Sequence, residues 1–202
     1  VLLDYRQVEL VGLLQSIFDV FVSTATTHHI KYQFIRNVEQ LMVYADPENL
    51  DKIVMNLLSN AFKFTPDGGS IVMRLESDGE RFELEVMDSG VGISDEEKKK
   101  VFERFYSAQH RNGYIGTGIG LNLTSMLVKL HQGTIRVEDN PEGKGACFVV
   151  NIPIGEESLK MMKPADVPEG AVEEKEGTKM EDLLAVERPA DGRKRNAVLV
   201  ED

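Results

Sequence analysis

The chain has 202 residues, 42% of them hydrophobic and 28% charged, with a formal net charge of −11. That length carries one full domain and a tail, or two small domains, with enough chain for a real core. No apolar run reaches the ~20 residues that span a bilayer; no secretory leader is expected, because Asp4 and Arg6 interrupt the first apolar residues; and the negative charge argues against nucleic acid, whose backbone needs clustered Lys and Arg.

The predicted elements follow in chain order. Leu10, Leu13, Leu14, Ile17, Phe18, Phe21 and Val22 recur at helical spacing and predict one amphipathic helix over 8–27. Residues 30–35 alternate and predict a strand, and 41–44 a shorter one. Asp46-Pro47 is a helix start, an N-cap acid before a proline at the first helical position. Leu50, Ile53, Val54, Leu57, Leu58 and Ala61 line one face of the helix that runs from there to residue 64. Thr65-Pro66-Asp67-Gly68-Gly69 stops it. Strands over 70–76 and 81–88 follow, turned at Asp78-Gly79. A short helix over 95–105 opens after Ser94, with Glu97 placed to complete a capping box.

Residues 106–117 lack hydrophobic periodicity and predict a mobile loop. A helix over 118–131, ended by Gly133, and strands over 134–139 and 146–152 close the domain. Segregated helices over one mixed, mostly antiparallel sheet predict an α+β fold, a two-layer sandwich with the sheet covered on one face. Residues 156–195 predict a disordered linker, since 156–191 hold 11 acidic against 5 basic residues and few aromatics. Residues 196–202, Asn-Ala-Val-Leu-Val-Glu-Asp, read as a strand ending in two acids. A lone strand does not fold, so it is expected to open a further domain. The expected organisation is a domain over 1–155, a linker over 156–195 and that opening strand. The single cysteine, Cys147, sits in a strand pattern as a small core residue, and no Cys/His cluster has zinc spacing. A reducing, cytoplasmic setting fits.

Three stretches carry chemistry. Asn56 and Asn60 are four apart on one helix, with Lys63 three further on, so all three share a face. A polar stripe toward solvent is the bland reading. Asparagine inside a helix is costly, however, and an Asn carbonyl is a hard neutral ligand suited to Mg²⁺ that bridges to phosphates. Asp88 opens Asp-Ser-Gly-Val-Gly-Ile (88–93); either it caps a turn, or its carboxylate faces a pocket whose wall Gly90 and Gly92 open by lacking Cβ. An adenine exocyclic amine would donate to it. Gly116-Thr117-Gly118-Ile119-Gly120-Leu121 opens a helix, where backbone N–H groups and the helix dipole favour an anion. It is neither a Walker loop nor a dinucleotide fingerprint.

Taken in order, Asn-Leu-Leu-Ser-Asn-Ala-Phe-Lys-Phe-Thr-Pro (56–66), the 88–93 stretch, Phe-Glu-Arg-Phe-Tyr (102–106) and the 116–121 stretch resemble the four nucleotide boxes of the ATP-binding domain of sensor histidine kinases. The resemblance covers about residues 1–154 and extends to the superfamily shared with gyrase, the MutL mismatch-repair proteins and a heat-shock chaperone. It implies the Bergerat-type ATP-binding fold. It implies Asn60 as Mg²⁺ ligand, Asn56 lining the phosphate end, Lys63 near the phosphates and Phe64 flanking the nucleotide. Asp88 would accept from the adenine amine, with Gly90, Gly92 and Ile93 shaping that pocket. Gly116, Thr117, Gly118, Ile119, Gly120 and Leu121 would cradle the phosphates. Phe102 and Phe105 would anchor the near end of the lid, beside Tyr106.

Ser107 stands where the family often has a basic residue, and Arg111 is the substitute expected there. The family's phosphoacceptor histidine, followed by an acid on a dimerising hairpin, is missing: none of His28, His29, His110 and His131 is followed by an acid. The implied activity is donation of the γ-phosphate of Mg·ATP to a histidine on an upstream dimerisation domain. The ending at 198–202 resembles the start of a receiver domain, which implies a hybrid two-component kinase. Its parent would be a homodimeric inner-membrane bacterial sensor, partnered with a receiver domain or response regulator. A nucleotide-sensing module without transfer, and an ATP-driven clamp of the gyrase or MutL kind, are the alternatives.

Overall fold

The computed structural model describes residues 4–106 and 119–155. Asp46 shows why the longest helix begins where it does. Its carboxylate accepts from Glu48 N and Asn49 N at 3.0 and 3.1 Å, and Pro47 follows at the first helical position. Capping of this kind satisfies backbone donors that no helical carbonyl can reach. The helix, α3 (Pro47–Phe64), ends at Thr65, whose hydroxyl donates back to Ala61 O at 2.6 Å. It was legible in the sequence to the residue.

Before it come β1 (Arg6–Glu9), α1 (Leu10–Val20), α2 (Val22–Thr27), β2 (Lys31–Arg36) and β3 (Met42–Ala45). After it come β4 (Ser70–Ser77), β5 (Arg81–Asp88), α4 (Asp95–Lys98), α5 (Gly120–Leu130), β6 (Thr134–Asp139) and β7 (Ala146–Pro153). Five strands form one sheet in the order β2-β4-β5-β7-β6, parallel between β2 and β4 and antiparallel elsewhere. Strands β1 and β3 form a separate antiparallel pair. One sheet face, carrying Ile71, Met73, Leu75, Phe82, Leu84, Val86, Phe148 and Val150, packs with Leu14, Ile17, Ile53, Leu57 and Val128 of the helices in a single core. The predicted α+β two-layer sandwich is therefore the fold. On the opposite face Met87, Cys147 and Val149 form a small buried cluster, and the ion pair of Arg74 with Glu85 at 3.0 Å lies on that face.

Three expectations are corrected. The helix predicted over 8–27 is a strand and two helices. Glu9 caps α1 by accepting from Val11 N and Gly12 N, and it also accepts from Leu41 N, which fixes the preceding residues as a strand. Phe21 then interrupts the helix, bonding Phe18 O while its ring stacks on Phe62 at 5.1 Å. The helix predicted over 95–105 keeps its capping box but ends at Lys98. Glu103 N and Tyr106 N bond back only three residues, and Phe105 takes φ +63°, which no right-handed helix admits. The helix predicted from Gly118 begins at Gly120. The 107–118 stretch and all of 156–202, including the expected linker and opening strand, lie outside the described residues. Among the described residues no helix is long and apolar enough to cross a membrane.

His131 joins the end of α5 to the start of α3. Its Nε2 accepts from Asp46 N at 3.2 Å and its Nδ1–H donates to Leu127 O at 2.8 Å, which is the neutral tautomer. Only 1% of the residue is exposed, and burial holds its imidazole below the ordinary histidine value, against Leu127 O and the Asp46 charge, which favour the cation. Unfolding therefore takes up a proton once pH falls below about 6.5, and stability is lost as pH drops from there toward the folded value. We expect urea unfolding to show that loss in the natural chain and not in His131→Leu. That variant also loses ~1–3 kcal/mol at pH 8, because the buried Asp46 N–H is left without an acceptor.

Candidate functional site

Of the three polar residues of α3 singled out by spacing, Asn56 meets α5. Asn56 Nδ2 donates to Thr124 Oγ1 of α5 at 2.7 Å. Asn60 and Lys63 lie half-buried further along α3. Partial burial lowers the Lys63 ammonium from its ordinary value, and its Nζ lies 5.3 Å from the Phe64 ring. A phosphate beside that ammonium would favour the charged form again.

Asp88 ends β5 on the helix-covered side of the sheet and is 5% exposed. Its Oδ1 accepts from Gly90 N at 2.9 Å and Ala146 N at 3.3 Å. Those two bonds fix the carboxylate plane and leave Oδ2 as the atom for a ligand donor. Burial raises the Asp88 carboxyl above the ordinary carboxylate value, while the two backbone donors pull it down. The loop after β5 lies against the end of α3, since a Cβ on Gly90 would fall 2.4 Å from Phe64 O. Gly92 has φ +76° and faces Gly145 O. Ile93 packs on the main core.

Two residues behind Asp88 were not anticipated. Asn140 Nδ2 donates to Asp88 O at 2.8 Å. Gly145, at φ +126°, approaches so closely that a Cβ there would sit 1.8 Å from Asp88 O. Both belong to the β6–β7 hairpin, and the Asn-Pro-Glu-Gly-Lys-Gly run (140–145) is a turn signal that marks a hairpin without saying what it backs.

Among the expected lid residues, Phe102 packs edge-on to Phe148 at 6.2 Å, and Asn122 Nδ2 donates to its carbonyl at 2.9 Å. Phe105 is 67% exposed, and its ring has the Arg104 guanidinium 4.8 Å from its centroid. Tyr106 is half-buried. Ile119 is 47% exposed, Gly120 and Leu121 begin α5, and a Cβ on Gly120 would meet Asn56 Oδ1 at 2.5 Å. Gly116, Thr117, Gly118 and Arg111 fall outside the described residues. The described residues thus place a buried acceptor at the end of β5, with the loop that follows it against the C-terminal end of α3, and the Asn56–Asn60–Lys63 stripe runs back along α3 from there to Asn56 beside the α5 N-terminus.

A buried acid held by two backbone donors and a stripe of two asparagines and a lysine thus lie on a two-layer sandwich. Residues 45–156, more than half the chain, match the family described as histidine kinase-, DNA gyrase B-, and HSP90-like ATPases, and the chain belongs to that family as an ATP-binding domain of the histidine-kinase kind. It is 34% identical over 176 residues to histidine kinase P4 of Formosa agariphila, which covers 79% of this chain and 13% of that protein. It is 39% identical over 155 residues to the sensor histidine kinase TmoS of Ectopseudomonas mendocina, covering 75% and 16%. The chain thus spans under a fifth of the length of these two relatives. Among solved structures, a nucleotide-free catalytic domain of the histidine kinase ThkA superposes with TM-score 0.70 at 26% identity, covering 77% of this chain and 99% of that one. Full-length ShkA in complex with AMPPNP gives TM-score 0.67 at 26% identity, covering 77% and 32%.

Proposed function

We propose that this domain binds ATP as its Mg²⁺ complex and donates the γ-phosphate to a histidine on a separate dimerisation domain, from which it passes to a receiver domain or response regulator. The observation that carries the reading is a buried, oriented Asp88 whose following loop abuts the C-terminal end of the helix bearing Asn56, Asn60 and Lys63. Adenine's amine suits Asp88 Oδ2. The residues of that helix fit Mg²⁺: Asn60 supplies one hard neutral oxygen, and this ion is commonly held by one or two protein oxygens together with phosphates and waters. The metal would neutralise charge on the phosphates. Lys63 would add a fixed positive charge, and α5 its N-terminal dipole. Catalysis of such a transfer is mostly positioning and charge stabilisation.

The names of the relatives support the reading. One related structure holds AMPPNP, and ThkA has been solved with the response regulator TrrA, superposing with TM-score 0.66 at 25% identity and covering 76% of this chain and 42% of that one. In the proposed parent the domain belongs to a homodimeric bacterial sensor and works on the cytoplasmic side of the membrane. No observation favours a sensing module or a clamp.

Two experiments test this. With γ-labelled ATP, the 202-residue chain should acquire no acid-labile, base-stable label alone and should label a supplied dimerisation hairpin. Stoichiometric label on this chain by itself, or none on any hairpin, would overturn the transfer reading. In Asn60→Ala, Mg²⁺ should no longer tighten binding of a non-hydrolysable ATP analogue, a loss of at least ~10-fold by comparison with altered metal sites. Binding of metal-free ADP should change little. A full Mg²⁺ effect in that variant would remove Asn60 as ligand.

A further inference from the structure

Thr124 of α5 bonds the polar face of α3, and its hydrogen bonds have a fixed direction. The residue is 1% exposed. Its hydroxyl donates to Gly120 O, one turn back, at 3.0 Å. A hydroxyl has a single proton, so toward Asn56 it can only accept. That requirement turns the Asn56 amide so that Nδ2 faces Thr124, at 2.7 Å. The carbonyl Oδ1 is then left against the first residue of α5, where a Cβ on Gly120 would lie 2.5 Å from it.

We infer that Thr124 is a positioning residue: it selects the amide orientation of Asn56 and so places Oδ1 at the α5 N-terminus, the end of the site where the phosphates lie. The inference rests on the nucleotide site proposed above. It also explains why residue 120 lacks a side chain, since any Cβ there would displace the oxygen that Thr124 positions. An Asn amide presents a donor pair on one side and an acceptor on the other. Reversed, Asn56 would offer its donors where its acceptor now stands. A phosphate–metal complex would meet the wrong sign of dipole.

Thr124→Val keeps the shape and removes the hydroxyl, whereas Thr124→Ser keeps the hydroxyl. In the full 202-residue chain, the Asn56 side-chain NH₂ should show slowed solvent exchange by NMR. Valine should abolish that protection and serine restore it. Valine should also weaken the Mg²⁺ complex of a non-hydrolysable ATP analogue by about tenfold, the scale of one buried hydrogen bond, while metal-free ADP binding stays within about twofold. Unchanged Asn56 exchange or unchanged ATP affinity in Thr124→Val would overturn the inference. So would an equal loss for both nucleotides that serine fails to restore, which marks a packing role. Wild-type ATP affinity in Asn56→Ala would instead sink the underlying reading of the site.

Discussion

Gly145→Ala should destabilise the domain by ~2–4 kcal/mol and abolish nucleotide binding. The position has φ +126°, and a Cβ there would fall 1.8 Å from Asp88 O. A non-glycine residue in such backbone costs of order 1–3 kcal/mol, and the overlap is with backbone atoms that no rotamer change can move. Relief requires the hairpin to retreat from β5. That would pull Ala146 N from Asp88 Oδ1 and Asn140 from Asp88 O, so folding and site fail together. Gly143→Ala is the control for backbone strain alone: φ there is +153°, but a Cβ meets nothing within 4 Å, so stability should fall while nucleotide binding is kept. Urea unfolding and calorimetric titration of ATP measure the two effects. Wild-type affinity in Gly145→Ala would show that Asp88 is not held by this contact.

The second large effect concerns the base. Asp88→Ala should lower ATP affinity by about a hundredfold or more, and the natural chain should prefer ATP over GTP by a similar factor. A buried acceptor left unpaired costs ~1–3 kcal/mol, more when charged, and each 1.4 kcal/mol is tenfold. Guanine offers an acceptor where adenine offers its amine. A pH dependence follows from the same group. Burial raises the Asp88 carboxyl in the free protein, and a donor amine stabilises the carboxylate, so binding expels a proton from the protonated fraction. ATP affinity should hold steady above that raised value and fall as pH drops through it. Titrations across acidic pH, with Asp88→Asn for comparison, measure this. Equal affinities for ATP and GTP, or normal ATP binding by Asp88→Ala, would rule the contact out.

What could be read in advance divides along physical lines. Helix α3 and the β4–β5 pair were legible because their signals are local: an N-cap acid with proline, a helical apolar stripe, and alternation broken at Asp78-Gly79. Strand β1 was not, because its pairing with β3 joins residues some 36 apart, Arg6 with Ala45 at the widest 39, and the apolar periodicity of α1 continues backward through Val8. The end of α4 was missed for a similar reason. The Phe102 carbonyl is used by Asn122 of α5, 20 residues on, and no local window around Phe102 contains that residue. In the site, Asn56 and Asn60 announced themselves as asparagines inside a helix, Lys63 by its spacing from them, and Asp88 by the glycine-rich stretch it opens. Thr124, Asn140 and Gly145 act through neighbours far along the chain. A threonine in a helix and a glycine in a hairpin are both ordinary choices, and only the fold shows what they touch.

The β6–β7 hairpin divides mutational risk very unevenly. At its base, Gly145 and Asn140 grip the Asp88 carbonyl, so drift there is paid in both fold and ligand. At its tip Glu142 is exposed, whereas Gly143 has open space around it but φ +153°, which favours keeping the glycine. Position 142 therefore tolerates substitution or a grafted label, three residues along the hairpin from Gly145, which touches Asp88. An environment-sensitive dye attached at position 142 would report on occupancy of the nucleotide site from a place whose own chemistry that site does not use.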